Sequence, residues 1–281
     1  MPGYQKIVER SSIRIFRIIK GLLGRLLVKF SRNIPSVLHA NANALKDRLG
    51  KEIWSQNAGR VAYGHYQGMI IPLSSPWSGS MDTGAMILGT YEKQVVEFLH
   101  RIAPKTRTFI DVGASWGFHA IGCRLGGLAS RVIAYEIDTE SAELCRRYSL
   151  MNNSPVDVRG ILTADDLMLF FDSEKVEPES SVFLFDIEGG ERQLLTAEAI
   201  SVLSKSWLCI EIHDFLDGYD TAEFIQRFST SHKTRLVESD SSLPPQALSD
   251  WDELSIALVL SENRPRRMKW LLCEPKSLSD S

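Results

Sequence analysis

Thr108-Phe109-Ile110-Asp111-Val112-Gly113-Ala114-Ser115-Trp116-Gly117 is the stretch that decides how this 281-residue chain folds. Its first five residues are β-branched or aromatic except for one acid, the composition of a strand buried on both faces. Gly113 and Gly117 let the backbone turn tightly and approach a ligand, and Gly117 to Leu125 reads as a helix whose first NH groups face that turn. A dinucleotide fingerprint places Gly-x-Gly-x-x-Gly directly after the strand. Here an acid closes the strand and two glycines follow, so a nicotinamide dinucleotide fits poorly.

Downstream, strand and helix signals alternate. Arg131 to Glu136 reads as a second strand, Glu140 to Met151 as a helix, and Val156 to Arg159 as a third strand. Val182 to Asp186 is a fourth strand, followed by a helix from Glu191 to Leu203. Trp207 to Ile212 is a fifth, with a helix over Thr221 to Phe228. Arg235-Leu236-Val237 and Met268 to Cys273 supply two more strands, around an acidic Ser/Pro-rich loop from Glu238 to Asp252. This order predicts an α/β, Rossmann-like fold: a seven-stranded, mostly parallel sheet with helices on both faces, plus an N-terminal helical extension. Upstream, Arg60 to Tyr66 and Met69 to Leu73 suggest a hairpin around Gln67-Gly68, followed by a loop from Ser74 to Gly84 and a helix from Tyr91 to Leu99.

Ligands of such sheets bind at the carboxyl ends of the strands. There this chain repeats one feature. The first strand ends at Asp111, the second at Glu136, the fourth at Asp186-Ile187-Glu188 and the fifth at Glu211-Ile212-His213-Asp214. One such carboxylate could be a helix cap or a solvated charge. Four on neighbouring strands point to a site. Glu136, some 20 residues beyond the glycine turn, is placed to accept hydrogen bonds from the ribose hydroxyls of an adenosine.

Asp111-Val112-Gly113-Ala114-Ser115-Trp116-Gly117 and Asp186-Ile187-Glu188-Gly189-Gly190-Glu191 resemble the FkbM-type methyltransferases, whose patterns read Asp-Val-Gly-Ala-Asn-x-Gly and Asp-(Val/Ile)-Glu-Gly-x-Glu. The Tyr91-Glu92 helix and Glu211-x-His213 also look like that family's. The resemblance covers residues 84–215, and Ser115 departs from it where Asn is usual. It implies a class I fold, S-adenosylmethionine as methyl donor, and O-methylation of a hydroxyl on a sugar, glycan or other small natural product. Under it the chain divides into an extension (1–57) and a methyltransferase domain (58–281), with hairpin and loop at 58–90 and the cofactor-binding core at 91–281. Glu92, Asp111, Gly113, Ser115, Gly117, Glu136 and Asp186 form the expected cofactor set.

An alcohol is a weak nucleophile until its proton begins to leave, so transfer to a hydroxyl gains from a general base. His213 is the first candidate, since imidazole titrates near neutrality. Asp186 and Glu188 are alternatives, and Glu211 would orient the base or the acceptor. His119 reads as packing or a contact at the cofactor's edge. Nothing in the spacing demands a metal, so none is expected, although several carboxylates together can hold Mg²⁺.

Charge is divided unevenly. Residues 1–60 carry twelve Lys/Arg against three Asp/Glu, and the rest of the chain 20 against 32. The acidic body disfavours nucleic acid, whose phosphates need a basic groove. Residues 9–32 form a basic amphipathic pattern, with Ile15, Phe16, Ile19, Leu22, Leu23 and Leu26 on one side and Arg10, Arg14, Arg17, Arg25 and Lys29 on the other. The apolar run stays short of the roughly 20 residues of a membrane span. It suits an anionic membrane surface, and docking on protein and a removable transit peptide are the competing readings. Residues 35–57 read as a second helical stretch. Cys123, Cys145, Cys209 and Cys273 lie in apolar stretches with no metal-type spacing, as reduced, buried thiols would. The expected location is cytoplasmic, peripheral at the inner face of a membrane. The rival functions are a noncatalytic membrane-tethered module of the same fold, a nucleic-acid methyltransferase and a NAD-dependent oxidoreductase.

Overall fold

The computed structural model describes residues 34–76, 79–215, 220–238, 251–261 and 268–278. The amphipathic pattern at 9–32 lies outside them, as do most of the acidic loop and residues 262–267. The chain divides into two compact units, Met1–Lys46 and Asp47–Ser281. A helix, α1 (Ile34–Gln56), runs across that division.

The second unit is organised on one seven-stranded sheet. Its strands are β1 (Thr108–Val112), β2 (Arg131–Tyr135), β3 (Asp157–Arg159), β4 (Ser181–Phe185), β5 (Trp207–Ile212), β6 (His232–Glu238) and β7 (Lys269–Pro275). They lie in the order β3-β2-β1-β4-β5-β7-β6. The first five are parallel, and β7 runs antiparallel to both β5 and β6. This is a Rossmann-like α/β fold, as the alternation of strands and helices predicted. Every residue of β1, β4 and β5 is buried, so both faces of the sheet centre are covered. Strand order reverses between β1 and β4, which opens a crevice at their carboxyl ends.

Period two along the strands sorts side chains onto the two faces. Ile110, Val112, Phe183, Phe185, Leu208 and Ile210 share one face and build the main core with Leu195, Ile200, Leu203 and Phe224 from the helices. The opposite face carries Asp111 and Glu211. In register, Phe185 of β4 faces Ile210 of β5, so the next step along the same ladder sets Asp186 beside Glu211. His213 lies two residues further on that same face. The alternation that packs the core therefore also gathers the acids.

Several local expectations change. Residues 58–73 turn back on themselves through a single antiparallel bridge, Arg60 with Ile70, in place of a hairpin. The amide and carbonyl of Ile70 are taken instead by the Asn152 side chain, at 2.7 and 2.9 Å. The expected helix from Glu191 to Leu203 is broken into Glu191–Leu194 and Ala197–Val202, because Thr196 caps the second piece through the amide of Ala199. Short helices at Thr83–Ile87, Ala164–Met168, Phe170–Glu174 and Glu253–Leu260 were not legible as such. The last starts at Asp252, whose carboxylate caps the amide of Ser255. All four cysteines are buried and none is disulfide-bonded. Among the described residues no helix is long and apolar enough to cross a membrane.

Candidate active site

A cavity of about 820 Å³ opens at the carboxyl ends of β1, β2, β4 and β5. Asp111, Gly113, Ser115, Glu136, Asp186, Glu188 and His213 all line it, as does Glu92 from upstream. Gly117 and Glu211 are not on its wall.

Gly113 sits at φ +90°, and a Cβ there would fall onto the carbonyl of Asp186 and within 3.0 Å of Ile187. No side chain fits where the turn after β1 meets the loop after β4. Ser115 follows at φ +49°, a left-handed conformation that L-residues other than Asn, Asp and Gly rarely adopt. Its amide donates to Glu136 Oε2 at 2.7 Å, and the amide of Asp138 donates to Glu136 Oε1 at the same distance. The acid after β2 is thereby fixed at the cavity edge, with lone pairs still available for further donors. Beside it, Ile137 is 74% exposed and Ile161 is 62% exposed, two apolar side chains on the cavity wall.

On the floor, Glu92 takes a left-handed conformation (φ +44°) immediately before the helix Lys93–Ile102. Its Oε2 lies 2.6 Å from His119 Nε2, and His119 Nδ1 is 3.2 Å from the Tyr66 hydroxyl. All three are buried. Tyr66 was not foreseen as a site residue; it arrives from the 58–73 segment and holds the histidine from behind. Burial pushes the Asp111 carboxyl up to about 7; the charge of His119 opposes this, while those of Asp186 and Glu92 add to it.

At the β4–β5 end the structure brings together Asp186, Glu188, Glu211 and His213, as well as Glu191, which the sequence showed only as the last letter of its motif. His213 is 1% exposed, and Glu191 and Glu211 are fully buried. His213 Nε2 has three carboxylate oxygens around it: Glu188 Oε2 at 3.4 Å, Glu211 Oε2 at 3.4 Å and Asp186 Oδ1 at 3.7 Å. Nδ1 is 3.2 Å from Glu191 Oε1, which also accepts from the amide of Ile187 at 2.9 Å. Burial lowers the imidazole's pKa, but hydrogen bonding to Glu188 and Glu191 and the charges of Glu191 and Asp186 outweigh it and push it up to about 10. The surrounding carboxylates therefore favour the protonated ring over the neutral one.

No protein-family model matches the chain, and no curated protein matches it. Solved structures do. An rRNA methylase from Streptococcus thermophilus is 13% identical over 64% of this chain and 92% of that one, with a TM-score of 0.40. An O-methyltransferase from Bacillus cereus in complex with SAH is 16% identical over 66% and 81%, with a TM-score of 0.44. A cofactor-bound protein from MTB, Rv0187, is 15% identical over 64% and 79%, with a TM-score of 0.43. Likenesses this distant assign neither substrate nor reaction to this chain.

Proposed function

We propose that the protein is an S-adenosylmethionine-dependent methyltransferase, FkbM-like, that methylates a hydroxyl on a sugar, glycan or other small natural product. One observation carries the reading. A single cavity holds, at one end, the Glu136 carboxylate fixed by two backbone amides and, at the other, a cluster of acids around His213.

The residues present fit the cofactor. Glu136 offers acceptors for two ribose hydroxyls, Ile137 and Ile161 offer apolar surface for an adenine, and Asp111 and Glu92 offer negative charge for an ammonium group. Gly113 leaves the backbone bare between them. When bound, S-adenosylmethionine supplies a methyl group already activated on a sulfonium. The chain's own task is then alignment, and well-oriented encounter is worth about 7–11 kcal/mol of barrier. Glu188, whose side chain is 69% exposed on a left-handed turn (φ +54°) and which lines the cavity, takes the hydroxyl proton. Asp186 orients the acceptor, while Glu211, behind the cavity wall, and His213 hold the catalytic carboxylates in place. Residues 9–32 hold the enzyme at an anionic membrane surface, which suits a lipid-linked acceptor.

Calorimetric titration with S-adenosylhomocysteine tests the donor site, and a panel of hydroxylated sugars tests turnover. Micromolar binding that Glu136→Ala weakens is expected. Equal affinity in the variant sinks the site as drawn, and binding without turnover on any acceptor returns the reading to a noncatalytic module.

A further inference from the structure

Three polar side chains stand in line behind the cavity floor. Glu92 Oε2 is 2.6 Å from His119 Nε2, and His119 Nδ1 is 3.2 Å from the Tyr66 hydroxyl. Glu92 and His119 border the cavity beside Asp111, whereas Tyr66 is buried behind them, off the cavity wall. An ionised carboxylate only accepts hydrogen bonds, so Nε2 carries a proton and donates to Glu92. Tyr66 then serves Nδ1 in either state of the ring. Its hydroxyl donates to Nδ1 of a neutral imidazole. When the ring is an imidazolium, the hydroxyl oxygen accepts from Nδ1–H and turns its own hydrogen to Cys123 Sγ, 3.4 Å away. Both arrangements keep a proton on Nε2, and Glu92 keeps its donor. Burial lowers the pKa of His119, but the hydrogen bond and charge of Glu92 and the charges of Asp111 and Asp186 outweigh it and raise it.

The backbone is shaped to admit Tyr66. Helix Phe118–Leu125 carries Gly122 in its interior, where glycine destabilises a helix relative to alanine. A Cβ at Gly122 would fall inside the Tyr66 ring, and one at Gly126 would stand 2.8 Å from the His65 carbonyl oxygen. Positions four apart share a helix face, so the helix that presents His119 gives up two side chains where the chain at 65–66 crosses it. Phe118 meets the Tyr66 ring edge-on at 5.4 Å. At the other end of the line, Glu92 is held at φ +44°, a left-handed conformation that persists only where the surroundings impose it.

We infer that Tyr66 is a positioning residue for the donor site: through His119 it fixes the Glu92 carboxylate that receives the ammonium group of the cofactor's amino-acid tail. This role rests on the proposed S-adenosylmethionine site, and it separates recognition of the tail, at the floor, from recognition of the ribose by Glu136. A carboxylate held by a charge-assisted bond of 2.6 Å keeps one orientation, so little ordering is left for the ligand to impose. Without the Tyr66 hydroxyl, Nδ1 loses this partner in both states of the ring. The tautomer and plane of His119 are then no longer fixed, and neither is Glu92.

Calorimetry of the full chain with two ligands tests this role. 5′-Methylthioadenosine keeps the adenine, ribose and thioether of S-adenosylhomocysteine and lacks its amino-acid tail. Tyr66→Phe removes one oxygen and leaves the ring seated on Gly122; thermal unfolding checks that it folds. It should weaken S-adenosylhomocysteine by about 3–10-fold, and Glu92→Gln by about 10–100-fold, with 5′-methylthioadenosine within about twofold of wild type in both. Glu136→Ala should weaken both ligands, because both carry the ribose. Unchanged S-adenosylhomocysteine affinity in Tyr66→Phe, or an equal loss for the two ligands, overturns the role, and Tyr66 then only packs the floor. Should Tyr66→Phe not fold, Gly122→Ala, which pushes the ring off its seat, carries the same test. Either overturning result leaves wild-type binding and the effect of Glu136→Ala in place, whereas a wild-type chain that binds neither ligand overturns the methyltransferase reading itself.

Discussion

At the β1–β2 end of the cavity one carboxylate, Glu136, accepts two 2.7 Å bonds from backbone amides, whereas at the β4–β5 end four carboxylates share one imidazole. Both ends are made of acids at strand termini, yet they meet their charge differently. Backbone dipoles satisfy Glu136 without a counter-ion, leaving it rigid and ready for neutral hydroxyls. The second group instead sets its carboxylates around a side chain, the His213 imidazole. Similar residues at similar sheet positions are thus held by backbone amides at one end and by a side chain at the other.

Gly113 is where the two ends touch, and Gly113→Ala should have the largest effect. Left-handed strain of about 1–2 kcal/mol adds to overpacking of about 1–3 kcal/mol against the Asp186 carbonyl and Ile187. A loss of about 2–5 kcal/mol in urea unfolding is expected, together with loss of cofactor binding. A variant of wild-type stability would mean that the two loops are not in contact.

Glu136→Gln and Glu211→Gln separate the ends. A charged acceptor contributes about 1.5–3 kcal/mol per hydrogen bond. Glu136→Gln should thus weaken S-adenosylhomocysteine about 10–100-fold, while Glu211→Gln, off the cavity wall, should leave it within about twofold and abolish methyl transfer. Equal effects on cofactor affinity would erase the distinction.

How far this division was legible follows from what one strand knows of another. Each buried apolar run ending in an acid could be read from residues such as Thr108–Val112 and Val182–Asp186, because burial and period two are local. The acids' positions at one sheet edge followed. Glu191 beside His213 did not, since their contact depends on β4 lying next to β5 and on a turn of the 186–190 loop through positive φ at Glu188 and Gly189. Tyr66 behind His119 was hidden for the same reason, a contact across 53 residues. Where the sequence promised one helix at 191–203, a local signal was present: Thr196 three residues before Ala199, a cap in mid-pattern.

Asp111 lies between the ends, and its carboxyl at about 7 makes cofactor affinity depend on pH. The folded-state value is raised above the ordinary 3.8, so the empty site favours the protonated form up to about pH 7. A ligand ammonium favours the carboxylate. Affinity for S-adenosylhomocysteine, measured in EDTA, should therefore rise as pH goes from 6 to 8, by up to about tenfold as the ionised fraction grows. The groups facing Asp111 are His119, Asp186 and Glu92, and Asp111→Asn should flatten the profile. A profile that stays steep in Asp111→Asn would assign the effect to one of them.

The smallest effect belongs to Ser115. At φ +49° its backbone is strained by roughly 1 kcal/mol relative to a residue that tolerates the left-handed region. Asn does, because its short amide side chain bonds locally there. Ser115 binds Glu136 through its backbone amide, so the side chain can change without removing that bond. Ser115→Asn should raise stability by up to about 1 kcal/mol and leave cofactor affinity within about threefold. Should affinity fall tenfold instead, the hydroxyl of Ser115 touches the cofactor, and the β1–β2 end recognises its ligand through a side chain as well as through the amides that hold Glu136.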